Sequence, residues 1–141
     1  MSLVYWDTML FIYWLEAHPQ HGKKVEQIHE RMSQRGDQLC TSMFTVGEIL
    51  TGAYKTGRTK EAAQIRAFFD SPVVRLLPFT MEAADRYAKI RAQHNVSPAD
   101  AIHLACASIA QVDVYLTNDQ RLKKLIIQGI KFIAGLDGSI F

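Results

Sequence analysis

Four acidic residues occupy positions from which they can share one site: Asp7, Glu48, Asp100 and Asp119. Asp7 closes the apolar run Leu3–Trp6, and Asp119 lies two residues after the run Val114–Thr117. If these runs are strands of a parallel sheet, both acids lie outside its carboxyl edge, where α/β proteins bind ligands. The other two acids fall early in helix-like segments. All four carboxylates are therefore expected to converge at one end of the sheet.

The chemistry expected of such a pocket is metal-assisted hydrolysis. Carboxylates that converge without a Lys or Arg beside them repel one another, so either their pKa values rise or a cation binds. Oxygen ligands suit a hard cation such as Mg²⁺ or Mn²⁺. Such a cation lowers the pKa of an attacking water and stabilises the charge that develops on phosphorus. The pattern predicts hydrolysis of phosphodiester bonds.

Each acid also has a purely structural interpretation. The segment Ser97-Pro98-Ala99-Asp100 is a strong helix start, in which Asp100 only completes a capping box. Asp7 and Asp119 can be helix N-caps that follow strands. Glu48 can lie on a solvated helix face, although its neighbours are apolar. Spacing alone leaves both interpretations open.

The elements that must position these acids alternate between strand-like and helix-like segments. Short apolar runs predict five strands: Leu3–Trp6, Leu39–Ser42, Val73–Leu77, Val114–Thr117 and Lys131–Ala134. Periodicity and capping signals predict helices over 8–17, 23–35, 44–55, 59–69, 80–94 and 97–110, and a short one over 119–125. Strands separated by helices favour parallel pairing. The predicted fold is a single α/β domain over residues 1–141, a three-layer α/β/α sandwich with a mainly parallel sheet of about five strands.

Composition excludes several classes of protein. Of 141 residues, 48% are hydrophobic and 21% are charged, which excludes a disordered or fibrous chain. The formal net charge of +2 gives no support for nucleic acid binding. No apolar run reaches membrane-spanning length, and the apolar start carries Asp7 and lacks a basic cluster, so we expect no membrane contact and a cytoplasmic location. Cys40 and Cys106 form no Cys-x-x-Cys pair and are expected to be buried free thiols.

Four segments carry a resemblance to a known family: VYWDTMLFIYWLE, FTVGEILTGAYKTG, SPADAIHLACA and YLTND. In order and spacing they resemble the motifs of PIN-domain nucleases, particularly VapC-type toxin ribonucleases of toxin–antitoxin pairs. The resemblance implies a PIN-like fold and an endoribonuclease that uses Mg²⁺ or Mn²⁺, with Asp7, Glu48, Asp100 and Asp119 as catalytic residues and metal ligands. It also implies an RNA substrate, a homodimer and a small antitoxin partner. Met9 departs from the family, which commonly has Asn at this position.

Polar residues near the acids are candidates for supporting roles. Thr8, Thr117 and Asn118 match positions that flank the acids in the family and are expected to orient them. His103 lies on the same helix face as Asp100. It either contacts substrate or assists a proton transfer, or it packs at the junction of helix and sheet.

Basic residues after the acid-bearing segments are candidates for contacts with RNA phosphates. They are Lys55, Arg58 and Arg121, and the alternative for each is a solvated helix face. His18 and His21 are expected in an exposed loop and not at a metal. The apolar residues 11–15 hold more hydrophobic surface than one sheet face requires, which predicts an interface with a second copy or with an antitoxin.

Three other functions fit parts of the same pattern. A PIN-type nuclease of RNA maturation or turnover would keep the acids outside any toxin pair. A non-catalytic PIN-like binding module would not need all four. A phosphatase that forms a phospho-aspartate at Asp7 usually has a second Asp two residues later, and position 9 is Met.

Overall fold

The sheet reverses its strand order beside β1, and this reversal sets the position of the site. The computed structural model describes residues 1–137. Its five strands are all parallel: β1 (Leu3–Trp6), β2 (Gln38–Ser42), β3 (Val74–Leu77), β4 (Val114–Leu116) and β5 (Phe132–Ala134). Their order is β3-β2-β1-β4-β5. The chain builds outward from β1 to β3 and then returns to place β4 on the other side of β1. A reversal of this kind opens a crevice at the carboxyl ends of the two central strands.

Six helices connect the strands, and local signals explain most of their ends. They are α1 (Thr8–Leu15), α2 (Gly22–Arg35), α3 (Met43–Lys55), α4 (Thr59–Phe69), α5 (Met81–Gln93) and α6 (Pro98–Ile109). The side chains of Ser42, Thr80 and Ser97 each cap a helix by accepting a backbone N–H in its first turn. Gly36 ends α2 with a φ of 74°, which glycine adopts without strain.

Alternate residues of the central strands face two different cores. Val4 and Trp6 point to a core built with α1 to α4, whereas Tyr5 points to a core built with α5 and α6. β4 alternates in the same way, with Tyr115 on the Tyr5 side. Helices therefore cover both faces of the sheet, and the predicted three-layer α/β/α sandwich is confirmed.

Most predicted element bounds agree with the structure to within two residues, but the helix expected over 119–125 is wrong. Only a 3₁₀ turn forms there, at Leu122–Lys124. Asp119 accepts the backbone N–H of Arg121 on its own side chain. The turn ends at Leu125, whose φ of −82° and ψ of 147° are extended and not helical.

The surplus of apolar surface expected on α1 is largely an internal contact. Leu10, Phe11 and Tyr13 are buried, and the Phe11 ring packs on Phe68 and Phe69 of α4. The predicted surplus assumed that α1 packs only against one face of the sheet. Three other helices pack around it as well.

Two smaller predictions have opposite outcomes. Cys40 and Cys106 are buried free thiols, as predicted. The loop with His18 and His21 is less exposed than predicted, because the two rings stack on each other and on Tyr13. Within residues 1–137, no helix has the length and apolar character needed to cross a bilayer.

Candidate active site

Asp7 and Asp119 lie at the strand-order reversal and are joined by one threonine. The backbone N–H of Asp7 donates to the carbonyl of Leu116 at the end of β4, 3.1 Å away. The hydroxyl of Thr117 donates to Oδ2 of Asp7 and accepts the backbone N–H of Asp119 over 3.0 Å. Thr117 is fully buried. The ends of the two central strands therefore hold these acids in a fixed relation.

The Asp7 carboxylate is partly buried. Burial raises the pKa of Asp7 above its usual range, and the hydrogen bond from Thr117 offsets only part of that rise. Asp7 also caps α1, since its Oδ1 accepts the N–H of Met9 over 3.2 Å. The N-cap interpretation of Asp7 is thus correct, and it does not exclude a functional role because Oδ2 faces Thr117 and not the helix.

Glu48 reaches the same region from α3 and is held by two donors on one oxygen. Thr8 Oγ1 donates to Glu48 Oε1 over 2.5 Å, and His103 Nε2 lies 2.7 Å from the same atom. Burial alone would raise the pKa of Glu48, but these hydrogen bonds outweigh it and the pKa lies below its usual value. Within residues 1–137, no hydrogen bond occupies Oε2. That oxygen is left for a cation or a water.

His103 contacts Glu48 and not Asp100. It is 3% exposed, so the packed interpretation at the helix–sheet junction is correct, yet the ring also bonds a candidate catalytic acid. Its other nitrogen lies 2.7 Å from the hydroxyl of Tyr5. The sequence does not reveal this contact, since no spacing signal links residues that are 98 positions apart.

Asp100 is the acid with the fewest bonds. Ser97 Oγ accepts the backbone N–H of Asp100 over 3.1 Å, which is one half of a capping box. In the described part of the chain, the Asp100 carboxylate makes no hydrogen bond or ion pair. Together with the burial of Tyr115, the charges of Asp7, Asp100 and Glu48 raise the pKa of that tyrosine. The charges of three of the acids therefore act on one buried tyrosine hydroxyl.

Asp119 has a cationic partner that the sequence analysis did not expect beside the acids. Arg121 donates to both Asp119 carboxylate oxygens, over 3.2 Å and 3.0 Å. The Arg121 hydrogen bond and charge hold the pKa of Asp119 below its usual value. Asp119 and Glu48 thus each have a partner. The predicted repulsion among four unaccompanied carboxylates is wrong for Asp119, whose partner is a cation, whereas the partners of Glu48 are an imidazole and a hydroxyl.

The donor chemistry of the pocket fits a hydrated divalent cation. Within residues 1–137, no group of three or more His, Cys, Asp or Glu side chains is arranged to hold a metal. Mg²⁺, however, keeps several waters and usually takes only one or two carboxylates. Asp7 and Asp100 are the two acids without a basic partner, and a cation would relieve the desolvation of Asp7. The residues therefore fit a cation that keeps several water ligands, and they do not form a complete set of protein ligands.

The other candidate residues lie around this pocket in different roles. Asn118 donates its side-chain N–H to Tyr13 Oη over 3.1 Å, so it tethers the β4 loop to α1, and within residues 1–137 it makes no hydrogen bond to any of the four acids. Lys55 is exposed. Arg58 lies 3.7 Å from the carboxylate of Glu16.

A groove of about 200 Å³ lies between α1, α3 and α4 and reaches Glu48. Apolar side chains line its floor, among them Ile12, Leu15, Ile49 and Ile65. Its charged lining comprises three acids and one base: Glu16, Glu48, Glu61 and Arg58. The groove therefore offers an apolar surface that is acidic on balance and continuous with the pocket.

Comparison with known proteins gives one family and one fold. The sequence model of the family described as PIN domain matches residues 4–127. The structure is similar to DNA-bound VapBC from Salmonella typhimurium, with 25% identity, a TM-score of 0.74, and coverage of 96% of this chain and 99% of that chain. It is similar to promoter-bound VapBC2 from Rickettsia felis, with 14% identity, a TM-score of 0.76, and coverage of 94% and 98%.

A third solved structure with this fold is VapC20 of Mycobacterium tuberculosis, a toxin that cleaves the sarcin-ricin loop. It shares 18% identity and a TM-score of 0.64, and the match covers 79% of this chain and 86% of that chain. Comparison with curated proteins finds no significant match. The range matched by the PIN domain model contains Asp7, Glu48, Asp100 and Asp119.

Proposed function

The chain belongs to the PIN domain family, and from that premise we propose that it is an endoribonuclease that requires Mg²⁺ or Mn²⁺ and acts as the toxin of a type II toxin–antitoxin pair. The observation that carries the proposal is the junction of β1 and β4, where Thr117 binds both Asp7 and Asp119. Glu48 and Asp100 complete the pocket from α3 and α6. Separate capping roles for the individual acids would not explain why all four lie at this edge of the sheet.

Each acid has a distinct role in the proposed reaction. Asp7 and Asp100 would hold the cation, which when bound would lower the pKa of a water and neutralise charge on the phosphate. Glu48 is ionised at neutral pH, because its pKa lies below the usual range, and its Oε2 orients water. Asp119 is held by Arg121 until substrate enters. Water loses a proton and adds to phosphorus, the bond from phosphorus to the leaving ribose oxygen breaks, and that oxygen takes up a proton to become a hydroxyl group.

Arg121 is the best placed of the basic residues to bind an RNA phosphate. It is exposed, and among the described residues its side chain bonds only Asp119. Exposed ion pairs contribute little to stability, so exchange of the carboxylate for a phosphate costs little. Lys55 and Arg58 lie farther along α3 and its following turn and would position a longer RNA without reading its sequence.

The groove beside Glu48 supports an antitoxin partner. A peptide that fits the groove carries apolar side chains that pack on the groove floor. It also carries one Arg or Lys that reaches the acids at the Glu48 end of the groove. Such a cation would compete with the metal at Glu48. A solved structure with this fold, from Klebsiella pneumoniae, is described as a toxin–antitoxin complex; it shares 18% identity and a TM-score of 0.68.

A homodimer is also proposed, on a surface other than α1. Ser42 pairs with Leu77 in the sheet, so the residues that follow each of them leave the same edge. Exposed apolar side chains collect there: Met43 is 54%, Phe79 50% and Met81 84% exposed. We expect the toxin to act in the cytoplasm.

The deciding experiment measures cleavage of a panel of structured and unstructured RNAs with and without EDTA. We expect wild-type protein to cleave only with Mg²⁺ or Mn²⁺, and Asp7→Asn to be inactive. Asp85→Asn is the matched control, because Asp85 is exposed on α5 and bonds only Lys89 in the described structure. Undiminished cleavage after exhaustive chelation would refute the metal mechanism.

The toxin assignment has a separate test in cells. Expression of the chain alone should slow growth, and co-expression with a short neighbouring reading frame should restore it. If overproduction is harmless while the purified protein cleaves RNA, the RNA-maturation role replaces the toxin role.

A further inference from the structure

A line of hydrogen bonds runs from the buried sheet to the candidate catalytic acid Glu48. Tyr5 is fully buried, and its Oη lies 2.7 Å from His103 Nδ1. The other ring nitrogen, Nε2, lies 2.7 Å from Glu48 Oε1. The backbone N–H of Ser42 donates to Tyr5 Oη over 3.2 Å. The hydrogen bonds thus connect β2 to β1, β1 to α6 and α6 to α3.

The neighbouring hydroxyl groups have no proton to give the ring. Thr41 donates its only proton to the carbonyl of Trp6 over 2.8 Å. The hydroxyls of Thr41 and Thr45 lie 2.6 Å apart, so Thr45 must be the donor of that pair. Thr45 Oγ1 is 3.4 Å from His103 Nδ1 and has no second proton. Tyr5 is the remaining donor to Nδ1.

These hydrogen bonds favour one form of the histidine, since Tyr5 Oη is the hydroxyl nearest to Nδ1. Burial raises the pKa of Tyr5 well above its usual value, so the hydroxyl keeps its proton at neutral pH. With Nδ1 accepting that proton in a hydrogen bond, the ring carries its own proton on Nε2 and donates it to Glu48. The opposite tautomer would place an Nε2 lone pair 2.7 Å from a carboxylate oxygen.

We propose that Tyr5 is a positioning residue, which fixes His103 in the Nε2–H tautomer so that the ring holds Oε1 of Glu48 and leaves Oε2 for water or the cation. Thr8 donates to the same Oε1 from the other side. The effect on cleavage rests on the proposed function, whereas the order of the hydrogen bonds does not. Loss of such supporting bonds typically lowers metal affinity or activity by about 10- to 100-fold.

Tyr115 provides a matched control for Tyr5. The two rings stack with centroids 5.0 Å apart and planes 6° apart, and both are fully buried. Within residues 1–137, however, Tyr115 Oη has no hydrogen-bond partner. Tyr5→Phe and Tyr115→Phe therefore remove the same atom from adjacent rings, and only the first change breaks the chain to Glu48.

The first experiment reads the tautomer directly by ¹H–¹⁵N NMR of the imidazole nitrogens in metal-free protein. We expect His103 to carry its proton on Nε2 in wild type and in Tyr115→Phe, and to become a mixture in Tyr5→Phe. A proton on Nδ1 in wild type, or an unchanged spectrum in Tyr5→Phe, would overturn the proposal. This readout does not depend on nuclease activity.

The second experiment is a double-mutant cycle on RNA cleavage. Tyr5→Phe should lower kcat about tenfold and leave KM within about twofold, on the scale of supporting bonds. In a His103→Gln background, whose amide can donate to Glu48 without Tyr5, the same change should have no further effect. An equal loss in both backgrounds would show that Tyr5 does not act through His103.

The experiments can distinguish failure of the positioning proposal from failure of the proposed function, and they remain informative if Tyr5→Phe does not fold. If no variant and no wild-type protein cleaves RNA, the proposed function fails while the NMR result still tests the tautomer. If Tyr5→Phe does not fold, as circular dichroism would show, His103→Leu is compared with His103→Gln. Greater activity of the Gln variant supports a donor to Glu48, and equal activity contradicts it.

Discussion

Thr117 is the residue whose loss should reveal the electrostatics of the pocket most clearly. Thr117→Val keeps the shape of the side chain and removes its two hydrogen bonds, to the Asp7 carboxylate and from the Asp119 backbone. A bond to a charged group contributes about 1.5–3 kcal/mol and a neutral one about 1 kcal/mol. The free energy of unfolding at neutral pH should therefore fall by about 2–4 kcal/mol.

The cost of Thr117→Val should depend on pH with a definite sign. The pKa of Asp7 is raised in the folded protein, so this group favours folding below the ordinary Asp pKa of about 3.9 and disfavours it as pH rises through the folded value. Removing the Thr117 donor raises that folded pKa further. The difference in stability between wild type and variant should then widen with increasing pH.

Thr41→Val is the matched control for this effect. Thr41 is also fully buried, and its hydroxyl bonds the Trp6 carbonyl and Thr45, neither of which titrates. The assay is urea unfolding followed by circular dichroism in EDTA, between about pH 4.5 and pH 8. Thr41→Val should have a cost that is flat with pH. If Thr117→Val shows the same flat cost, the account of a desolvated Asp7 is wrong.

Further predictions concern the acids, the RNA contact and the groove. Asp7→Asn should cut cleavage by at least about 10²-fold and should raise the metal-free free energy of unfolding, because the raised pKa of Asp7 marks its charge as unfavourable. Glu48→Gln should lose cleavage equally but gain no stability, since the pKa of Glu48 is lowered; a gain in urea unfolding would contradict this difference. Arg121→Gln should raise KM for RNA with little change in melting temperature, and an unchanged KM would remove the arginine from the RNA contact. Leu15→Asp, in the groove, should keep cleavage but escape inhibition by the antitoxin in a pull-down and cleavage assay, whereas the equally exposed Val73→Asp should remain inhibited.

Local sequence determines the elements of this protein because the signals are short-range. Ser97 and Pro98 start α6, Gly36 ends α2, and short apolar runs bounded by polar residues give the strands. A parallel sheet follows from the helices between the strands, and it places acids after β1 and β4 at one edge. The pair of Asp119 and Arg121 was equally local, two residues apart, and an Asp-x-Arg spacing would have revealed it.

Only the tertiary structure decides which of these residues meet. The strand order puts β4 beside β1, and this brings Thr117 to Asp7 across 110 positions of sequence. The packing of α6 against α3 brings His103 to Glu48 across 55 positions. No periodic pattern in the sequence predicts either contact, because the two residues of each pair come together only when separate elements bury their apolar faces against each other. For the same reason, the apolar pattern of α1 does not predict which helices pack around it.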